Sequence, residues 1–151
     1  IEFIHKKKHL YIDIKPENFM FKTKESQDIK IIDFGLCQSY ITCKGIHIDS
    51  KKLSNPIGTD LYSSIRMNNA MQPGRIDDIE SIGYLMLYLN NNKLPWSDLL
   101  SSKKILLKKN NIIKQKLLKN SPEYIQNFIN YSIGKKFDFK PEYGKLRELL
   151  N

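Results

Sequence analysis

Four polar side chains near the start of the chain, Asp13, Lys15, Asn18 and Asp33, could act together on one ligand. Three of them fall within residues 11–18, and Asp33 opens an Asp-Phe-Gly triplet. An amide oxygen and a carboxylate that meet at one point are hard oxygen ligands, which suit Mg²⁺ carrying phosphates. The types and spacing of these residues therefore predict a site for a magnesium-bound phosphate group.

A short β-hairpin is predicted to bring these groups together. Residues 19–22 and 29–32 have the β-branched and aromatic content of short strands, and the polar residues 23–28 supply the turn between them. Because a hairpin of this length brings its two ends together, we expect Asn18 and Asp33 to lie within a few ångströms of one another.

The spacing Asp-x-x-x-x-Asn followed by Asp-Phe-Gly resembles the catalytic and metal loops of protein kinases. That resemblance implies that Asp13 positions the attacking hydroxyl and accepts its proton, while Lys15 offsets charge on the transferred phosphoryl group. It implies ATP and Mg²⁺ as cofactors, with Lys15, Asn18 and Asp33 binding the nucleotide and the last two holding the metal ions. The alternative, in which the two carboxylates merely cap turns, does not explain why the lysine and asparagine fall into the same register.

More of the chain resembles one kinase family, casein kinase I, with the vaccinia-related kinases next closest. The matching motifs lie at residues 4–5, 13–19, 32–36, 58–59, 62, 64–65, 77–78, 80–81, 83–84, 94–96 and 140–143. Ser64-Ile65 stands where most kinases carry Ala-Pro-Glu, which is a peculiarity of this family. The resemblance implies a mainly α (α+β) fold: the C-terminal lobe of the protein kinase-like fold, a helical bundle whose small β-hairpin carries the catalytic and metal loops.

The same resemblance implies roles for two further residues and a class of substrate. Thr59 would bridge Asp13 and Lys15, and Asp78 would accept hydrogen bonds from backbone amides of the catalytic loop. The reaction implied is transfer of the γ-phosphate of ATP to Ser or Thr hydroxyls of proteins, in acidic or phosphorylated sequences.

Three residues depart from the kinase pattern. Tyr11 and Ile12 stand where most kinases have His and Arg before the catalytic Asp. Tyr11 can pack beneath the metal loop as His does, but Ile12 cannot clasp a phosphorylated loop through bidentate bonds as Arg does. We therefore expect that phosphorylation of residues 36–57, the predicted activation segment, does not activate the protein. Leu61 replaces an arginine that the family offers to phosphorylated substrates, so recognition of such substrates stays open.

Helical periodicity covers much of the remaining sequence. Residues 75–90 predict a buried helix in which Gly83 allows close approach of a neighbour, and Trp96 is predicted to be buried beyond its end. The inward-facing residues of this helix are predicted to be Ile79, Ile82, Leu85, Met86 and Leu89. Residues 100–119 predict one or two helices with a solvated basic face, or alternatively a docking surface for acidic substrates. The lysines of that face are Lys103, Lys104, Lys108, Lys109, Lys114, Lys116 and Lys119.

Two more helices are predicted near the C-terminus. Ser121, Pro122 and Glu123 supply the N-cap, the first-turn proline and the first-turn acid that open a helix. The inward-facing residues of that helix are predicted to be Tyr124, Ile125, Phe128 and Ile129. The last helix is predicted to begin near Pro141. Its apolar side is predicted to carry Leu146, Leu149 and Leu150.

Composition limits the class of protein and its partners. The 151 residues suffice for one domain, and the net charge of +9 comes mostly from lysine. No apolar run is long enough to span a bilayer, so no membrane partner is expected. No nucleic-acid-binding motif occurs, so nucleic acid is a weak alternative partner. Cys37 and Cys43 are expected to be free thiols in a reducing compartment, cytoplasmic or nuclear, or in a host cell if the protein is viral.

The chain resembles only part of a kinase. It has no Gly-rich phosphate loop and no Val-Ala-Ile-Lys strand, and it opens inside a predicted helix without Met or an N-cap. We therefore expect residues 1–151 to be a C-terminal lobe cut from a longer polypeptide, with the N-terminal lobe missing. Such a fragment should be nearly inactive alone and should expose apolar surface where that lobe docks. The alternative function is a pseudokinase or kinase-lobe binding module that acts by protein–protein interaction.

Overall fold

The secondary structure is mainly helical, as predicted, in a computed structural model that describes residues 1–111 and 118–150. The helices are α1 (Glu2–Lys6), α2 (Ile65–Asn68), α3 (Arg75–Asn91), α4 (Ser102–Asn110), α5 (Glu123–Ser132) and α6 (Tyr143–Glu148). The strands are β1 (His9–Leu10), β2 (Phe19–Phe21), β3 (Ile29–Ile31) and β4 (Gln38–Ser39), and a 3-10 turn spans Pro16–Asn18. Within the two described ranges, no helix is long and apolar enough to cross a membrane.

The strands form two separate antiparallel pairs. β2 pairs with β3, with Phe19 opposite Ile31, so the predicted hairpin is confirmed. β1 pairs with β4, with His9 opposite Ser39. The sequence does not predict this second pairing, which lays the start of the 36–57 segment beside the strand that leads into the catalytic loop.

The long helix α3 lies at the centre of the described core and packs against α5. At Gly83 an added Cβ would lie 2.7 Å from the Ile129 side chain, so glycine is required for this close approach. Ile79 and Leu85 are buried, as predicted. Leu89 is 63% exposed, and the prediction that it faces inward is wrong. It lines an apolar cavity of about 370 Å³ between the last turns of α3 and the hairpin, which leaves it uncovered.

Trp96 is fully buried, as predicted, and it connects the helical core to the loop that follows the 36–57 segment. Its ring packs edge-to-face on Tyr84 of α3, with the centroids 5.0 Å apart. Its indole N–H donates to the Leu61 carbonyl oxygen at 2.8 Å. Because a buried indole N–H needs an acceptor, the core fixes the backbone of this loop from beneath.

The C-terminal helices differ from prediction at four residues. Lys109 is fully buried rather than solvated, because its ammonium group finds acceptors inside the core. Tyr124 is 43% exposed, since it lies beside the last turn of α3 and not beneath it. Leu150 is 45% exposed, because α6 ends before it. Pro122, and not Ser121, occupies the N-cap position of α5.

Helix α4 contains only part of the predicted basic face. It ends at Asn110, and the predictions for Lys114 and Lys116 concern positions outside the described residues. Lys103, Lys104 and Lys119 are exposed. These three agree with the predicted solvated face.

Candidate active site

The catalytic loop, residues 11–18, is held by one side chain of α3. Asp78, which is 1% exposed, accepts hydrogen bonds from the backbone N–H of Tyr11 at 2.8 Å and of Ile12 at 2.9 Å. The Nε2 atom of His5 lies 2.8 Å from the same carboxyl group. Buried polar groups need partners, and this carboxyl group satisfies donors from two segments at once. The contact that the family resemblance implied for Asp78 is confirmed.

Tight backbone turns fix the position of Asp13. Ile12 has a φ of +73°, a left-handed conformation that β-branched residues rarely adopt. The amide of Asp13 donates to the carbonyl oxygen of Tyr11 at 2.9 Å, and the amide of Ile14 donates to that of Ile12 at 3.0 Å. The Ile12 side chain is buried against Met67 and neighbouring apolar residues, and this packing offsets the backbone strain.

Three side chains hold the carboxylate of Asp13. Lys15 Nζ donates to Oδ2 at 2.6 Å, and Thr59 Oγ1 donates to Oδ1 at 2.8 Å. Asn18 Nδ2 donates to the Asp13 carbonyl oxygen at 2.8 Å and to Oδ2 at 3.2 Å. Thr59 and Lys15 therefore meet through opposite oxygens of one carboxylate. The bridge predicted for Thr59 between Asp13 and Lys15 is present on the Asp13 side, and none of these bonds joins Thr59 to Lys15.

The protonation states of the cluster follow from these contacts. Burial by itself raises the pKa of Asp13, but the hydrogen bonds from Lys15 and Thr59 and the charge of Lys15 outweigh it, so the pKa lies below its usual value. The hydrogen bond to Asp13, followed by the charges of Asp13 and Asp33, raises the pKa of Lys15. At neutral pH the site therefore holds a carboxylate that can accept a proton and an ammonium group that can offset negative charge.

Asp33 begins the metal loop, residues 33–35, directly after the hairpin returns to the catalytic loop. The Ile32 amide donates to the Asn18 backbone carbonyl oxygen at 3.0 Å. Asp33 therefore directly follows a residue that is hydrogen-bonded to the catalytic loop. Asp33 has a φ of +57°, and its Oδ1 accepts the Gly35 amide at 3.0 Å. The hairpin thus brings Asp33 beside the cluster around Asp13, where its negative charge helps to raise the pKa of Lys15.

Tyr11 packs beneath the metal loop, as predicted for the residue that replaces His. It is fully buried, and its hydroxyl donates to the Ile32 carbonyl oxygen at 2.5 Å. Its ring lies edge-to-face against Phe34, with the centroids 5.5 Å apart. Tyr11 therefore connects the catalytic loop to the metal loop from inside the protein.

The oxygens that remain at the site suit a magnesium ion. The side-chain nitrogen Nδ2 of Asn18 is used in bonds to Asp13. The side-chain oxygen Oδ1 of Asn18 is therefore the group left for a ligand. Asp33 has one carboxylate oxygen beyond the one that accepts the Gly35 amide. In the described part of the chain, no group of three or more His, Cys, Asp or Glu could hold a metal ion. Magnesium on Asn18 and Asp33 would complete its shell with phosphate oxygens and water, as this ion commonly does.

Apolar side chains are exposed around the metal loop and along the hairpin. Ile32, Phe34 and Leu36 are exposed. On the hairpin, Phe21 and Ile29 are 66% and 61% exposed and line the apolar cavity beside α3. Clustered exposed apolar groups are typical of interaction surfaces. This surface agrees with the expectation of exposed apolar residues.

Sequence analysis missed a buried link behind the catalytic loop. The His5 ring contacts Asp78 through Nε2 and the Tyr143 hydroxyl through Nδ1, the latter at 2.6 Å. Tyr143 belongs to α6, at the opposite end of the sequence. No local pattern marks a histidine for this role, because its partners come together only in the folded chain.

Comparison with known families agrees with this geometry. The family model described as protein kinase domain matches residues 1–139. The chain belongs to the protein kinase family. Members of the family act on protein substrates and generally use ATP and Mg²⁺. The prediction of a protein kinase is therefore confirmed at the level of the family.

Proposed function

We propose that this protein is a serine/threonine kinase of the casein kinase I type and that residues 1–151 form its C-terminal, catalytic lobe. The observation that carries the proposal is the Asp13 carboxylate, which Lys15, Thr59 and Asn18 hold through bonds of 2.6, 2.8 and 3.2 Å. A carboxylate that only capped a turn would not need side-chain donors from two separate segments.

In the proposed reaction, a substrate Ser or Thr hydroxyl attacks the γ-phosphorus of ATP. The new O–P bond forms as the bond to the β,γ-bridging oxygen breaks, and ADP leaves with that electron pair. The hydroxyl proton passes to Asp13, whose lowered pKa keeps its carboxylate ionised beforehand. Lys15 offsets charge on the transferred group, and Thr59 keeps the carboxylate oriented. Magnesium held by Asn18 and Asp33 would neutralise the triphosphate.

The segment that stands in place of Ala-Pro-Glu supports the casein kinase I assignment. Ser64 Oγ donates to Asp77 at 2.6 Å and caps α2 by accepting the Met67 amide at 3.0 Å. The Ile65 amide donates to Glu80 at 2.7 Å. Two acids of α3, both within the motifs that carry the resemblance, hold this segment in place. The bonds of Ser64 and Ile65 to Asp77 and Glu80 would thus replace the anchoring that the Ala-Pro-Glu motif provides in other kinases.

We also propose that residues 1–151 alone transfer phosphate poorly. The sequence has no Gly-rich loop and no strand lysine for the α and β phosphates. Positioning and electrostatic stabilisation supply nearly all of the catalysis of phosphoryl transfer. The exposed Ile32 and Phe34 beside the metal loop offer a surface on which an additional lobe would pack.

The decisive experiment is phosphotransfer by the full-length gene product to an acidic protein substrate with labelled Mg-ATP. Asp13→Asn is expected to lower the rate by about 10²–10⁴-fold, because general base and positioning roles have that magnitude. The matched control is Asp98→Asn, whose side chain is 86% exposed and distant in sequence from the site. Equal labelling by the wild type and Asp13→Asn would remove Asp13 from its assigned role.

A binding module is the second candidate, and the exposed apolar cavity beside the hairpin favours it. Met20 and Phe21 are 53% and 66% exposed at this cavity, so they are placed to contact another protein. For a pseudokinase, the wild-type protein would show no phosphotransfer and Asp13→Asn would leave its biological effect unchanged. Phe21→Ser would abolish that effect. For an enzyme, the two variants would behave in the opposite way: Asp13→Asn would abolish the biological effect, and Phe21→Ser would leave it unchanged.

A further inference from the structure

Lys109, near the end of α4, is the one lysine that is fully buried in the described ranges. Its Nζ donates to the carbonyl oxygens of Asp60 and Ser63, each at 2.6 Å, and to Asn68 Oδ1 at 2.8 Å. An ammonium group has three N–H donors, and each has an acceptor here. All three acceptors belong to one short stretch, residues 60–68.

The surroundings of Lys109 are built around its ammonium group. The rings of Tyr84 and Trp96 lie 5.0 and 5.3 Å from Nζ, within the range of cation–π contacts. Burial lowers the pKa of Lys109 to about 7, and the charges of Glu80 and Asp60 act in the opposite direction. Burial of this group is costly, and the protein offsets the cost with hydrogen bonds, aromatic rings and nearby acids.

The stretch that Lys109 contacts overlaps the tight turn, residues 59–63, that presents Thr59. The amides of Tyr62 and Ser63 both donate to the Thr59 carbonyl oxygen at 2.9 Å. Gly58 precedes the turn with a φ of +84°, and an added Cβ there would lie 2.7 Å from Ser63 Oγ. One side of the turn thus carries the Thr59 hydroxyl bonded to Asp13, and another side carries the carbonyl groups bonded to Lys109.

We propose that Lys109 is a positioning residue for phosphoryl transfer: from α4 it holds residues 58–64 so that Thr59 stays on the Asp13 carboxylate. This inference rests on the proposed kinase function and extends it to a residue that touches neither substrate nor nucleotide. The same turn follows the predicted activation segment, where a protein substrate would lie. Lys109 therefore affects use of the protein substrate more than binding of ATP.

The alternative is that Lys109 stabilises the fold without affecting the turn. Replacing a purely stabilising residue lowers the free energy of unfolding but leaves the kinetics of the folded protein unchanged. A positioning residue changes kcat with the protein substrate, and it changes the local stability of the turn. Its effect is also coupled to that of Thr59, because both act on the same carboxylate.

The test compares Lys109→Met, which keeps the length and apolar character of the side chain, with the neighbouring control Lys108→Met, in the full-length protein. Lys109→Met is expected to lower kcat/KM for the protein substrate by about 10- to 100-fold, with KM for ATP nearly unchanged. Combined with Thr59→Ala it should lose little more than Thr59→Ala alone. The control should stay within about twofold of wild type.

Amide hydrogen exchange supplies a readout that does not depend on activity. Lys109→Met should speed exchange of the Tyr62 and Ser63 amides by about tenfold or more, and Lys108→Met should not. If Lys109→Met does not fold, Asn68→Leu removes one of the three acceptors and should shift exchange and kcat/KM in the same direction by less.

The outcomes separate the two proposals. A folded Lys109→Met protein with wild-type amide exchange and wild-type kinetics overturns the positioning role. If Lys109→Met does not fold, the role is overturned by an Asn68→Leu protein whose exchange and kcat/KM both equal those of wild type. Absent phosphotransfer by the wild type, together with faster exchange in Lys109→Met, overturns the proposed kinase function but leaves support of the turn by Lys109 established.

Discussion

The catalytic loop and the metal loop lie side by side, but the protein holds them in different ways. Asp13 sits among buried residues and accepts hydrogen bonds from three other side chains. Asp33 accepts one from a backbone amide of its own loop. The backbone behind Asp13 is fixed by Asp78, whereas Phe34 in the metal loop is 52% exposed.

This difference indicates which part of the site the described residues preorganise by themselves. In the proposed mechanism Asp13 is a general base. Such a base is effective only if its carboxylate already points where the proton will leave, so rigid support would benefit it. A metal-binding carboxylate can be oriented by the ion and the nucleotide when they bind. We therefore expect substitutions in the catalytic loop to affect both stability and activity, and substitutions in the metal loop to affect mainly activity.

The largest effect is expected from Asp78→Ala, which would break the support of the catalytic loop. It leaves the buried amides of Tyr11 and Ile12 and the ring of His5 without their acceptor. Loss of such a buried network typically costs about 3–5 kcal/mol. Urea unfolding measures the change, with the exposed Asp98→Ala as the matched control. A free energy of unfolding within about 1 kcal/mol of wild type would contradict the assigned role of Asp78.

A pair of substitutions tests the comparison directly. Asp33→Asn and Asp13→Asn should both remove most phosphotransfer by the full-length protein. Only Asp13→Asn should also destabilise the fold, by about 1 kcal/mol, because it weakens a set of buried hydrogen bonds. Asp33→Asn should stay within about 0.5 kcal/mol of wild type. Equal destabilisation by the two variants would show that the loops are held alike.

The sequence predicted best where function depends on neighbours along the chain. The hairpin and the spacing of Asp13, Lys15 and Asn18 follow from local propensity and register, and the structure places these groups together. The central helix was predictable because its apolar residues recur at helical spacing. These features need no knowledge of distant contacts.

The misses have a common physical cause. Lys109 was predicted to be solvated, since a lysine on a basic helix normally is, and only the folded loop supplies its acceptors. The His5 link to Tyr143 and the pairing of β1 with β4 likewise join segments that are distant in sequence. Leu89 keeps the helical period, but the surface it faces remains uncovered. Periodicity predicts which face a residue occupies, not whether another element covers that face.

A third loop is held by Asp77, the residue that precedes Asp78. Asp77 in α3 accepts hydrogen bonds from Ser64 Oγ and from the Gly74 amide, at 2.6 and 2.7 Å. Burial raises its pKa from the usual 3.8 to about 7, although these hydrogen bonds and the charge of Arg66 act in the opposite direction. The two adjacent acids of α3 thus support different loops, and this one titrates near neutral pH.

The pH dependence of folding tests this support. Between the unfolded pKa and the folded one, the native state binds a proton that the unfolded chain does not, so the stability that Asp77 contributes is greatest in acid and is lost as the pH rises towards 7. Asn cannot titrate. Relative to wild type, Asp77→Asn should therefore be more stable at pH 8 than at pH 5, by about 1–3 kcal/mol in urea unfolding. Asp98→Asn should show no such trend. A difference that stays constant, or that changes in the opposite direction, would mean that Asp77 is ionised in the native protein and supports its loop as a charged group.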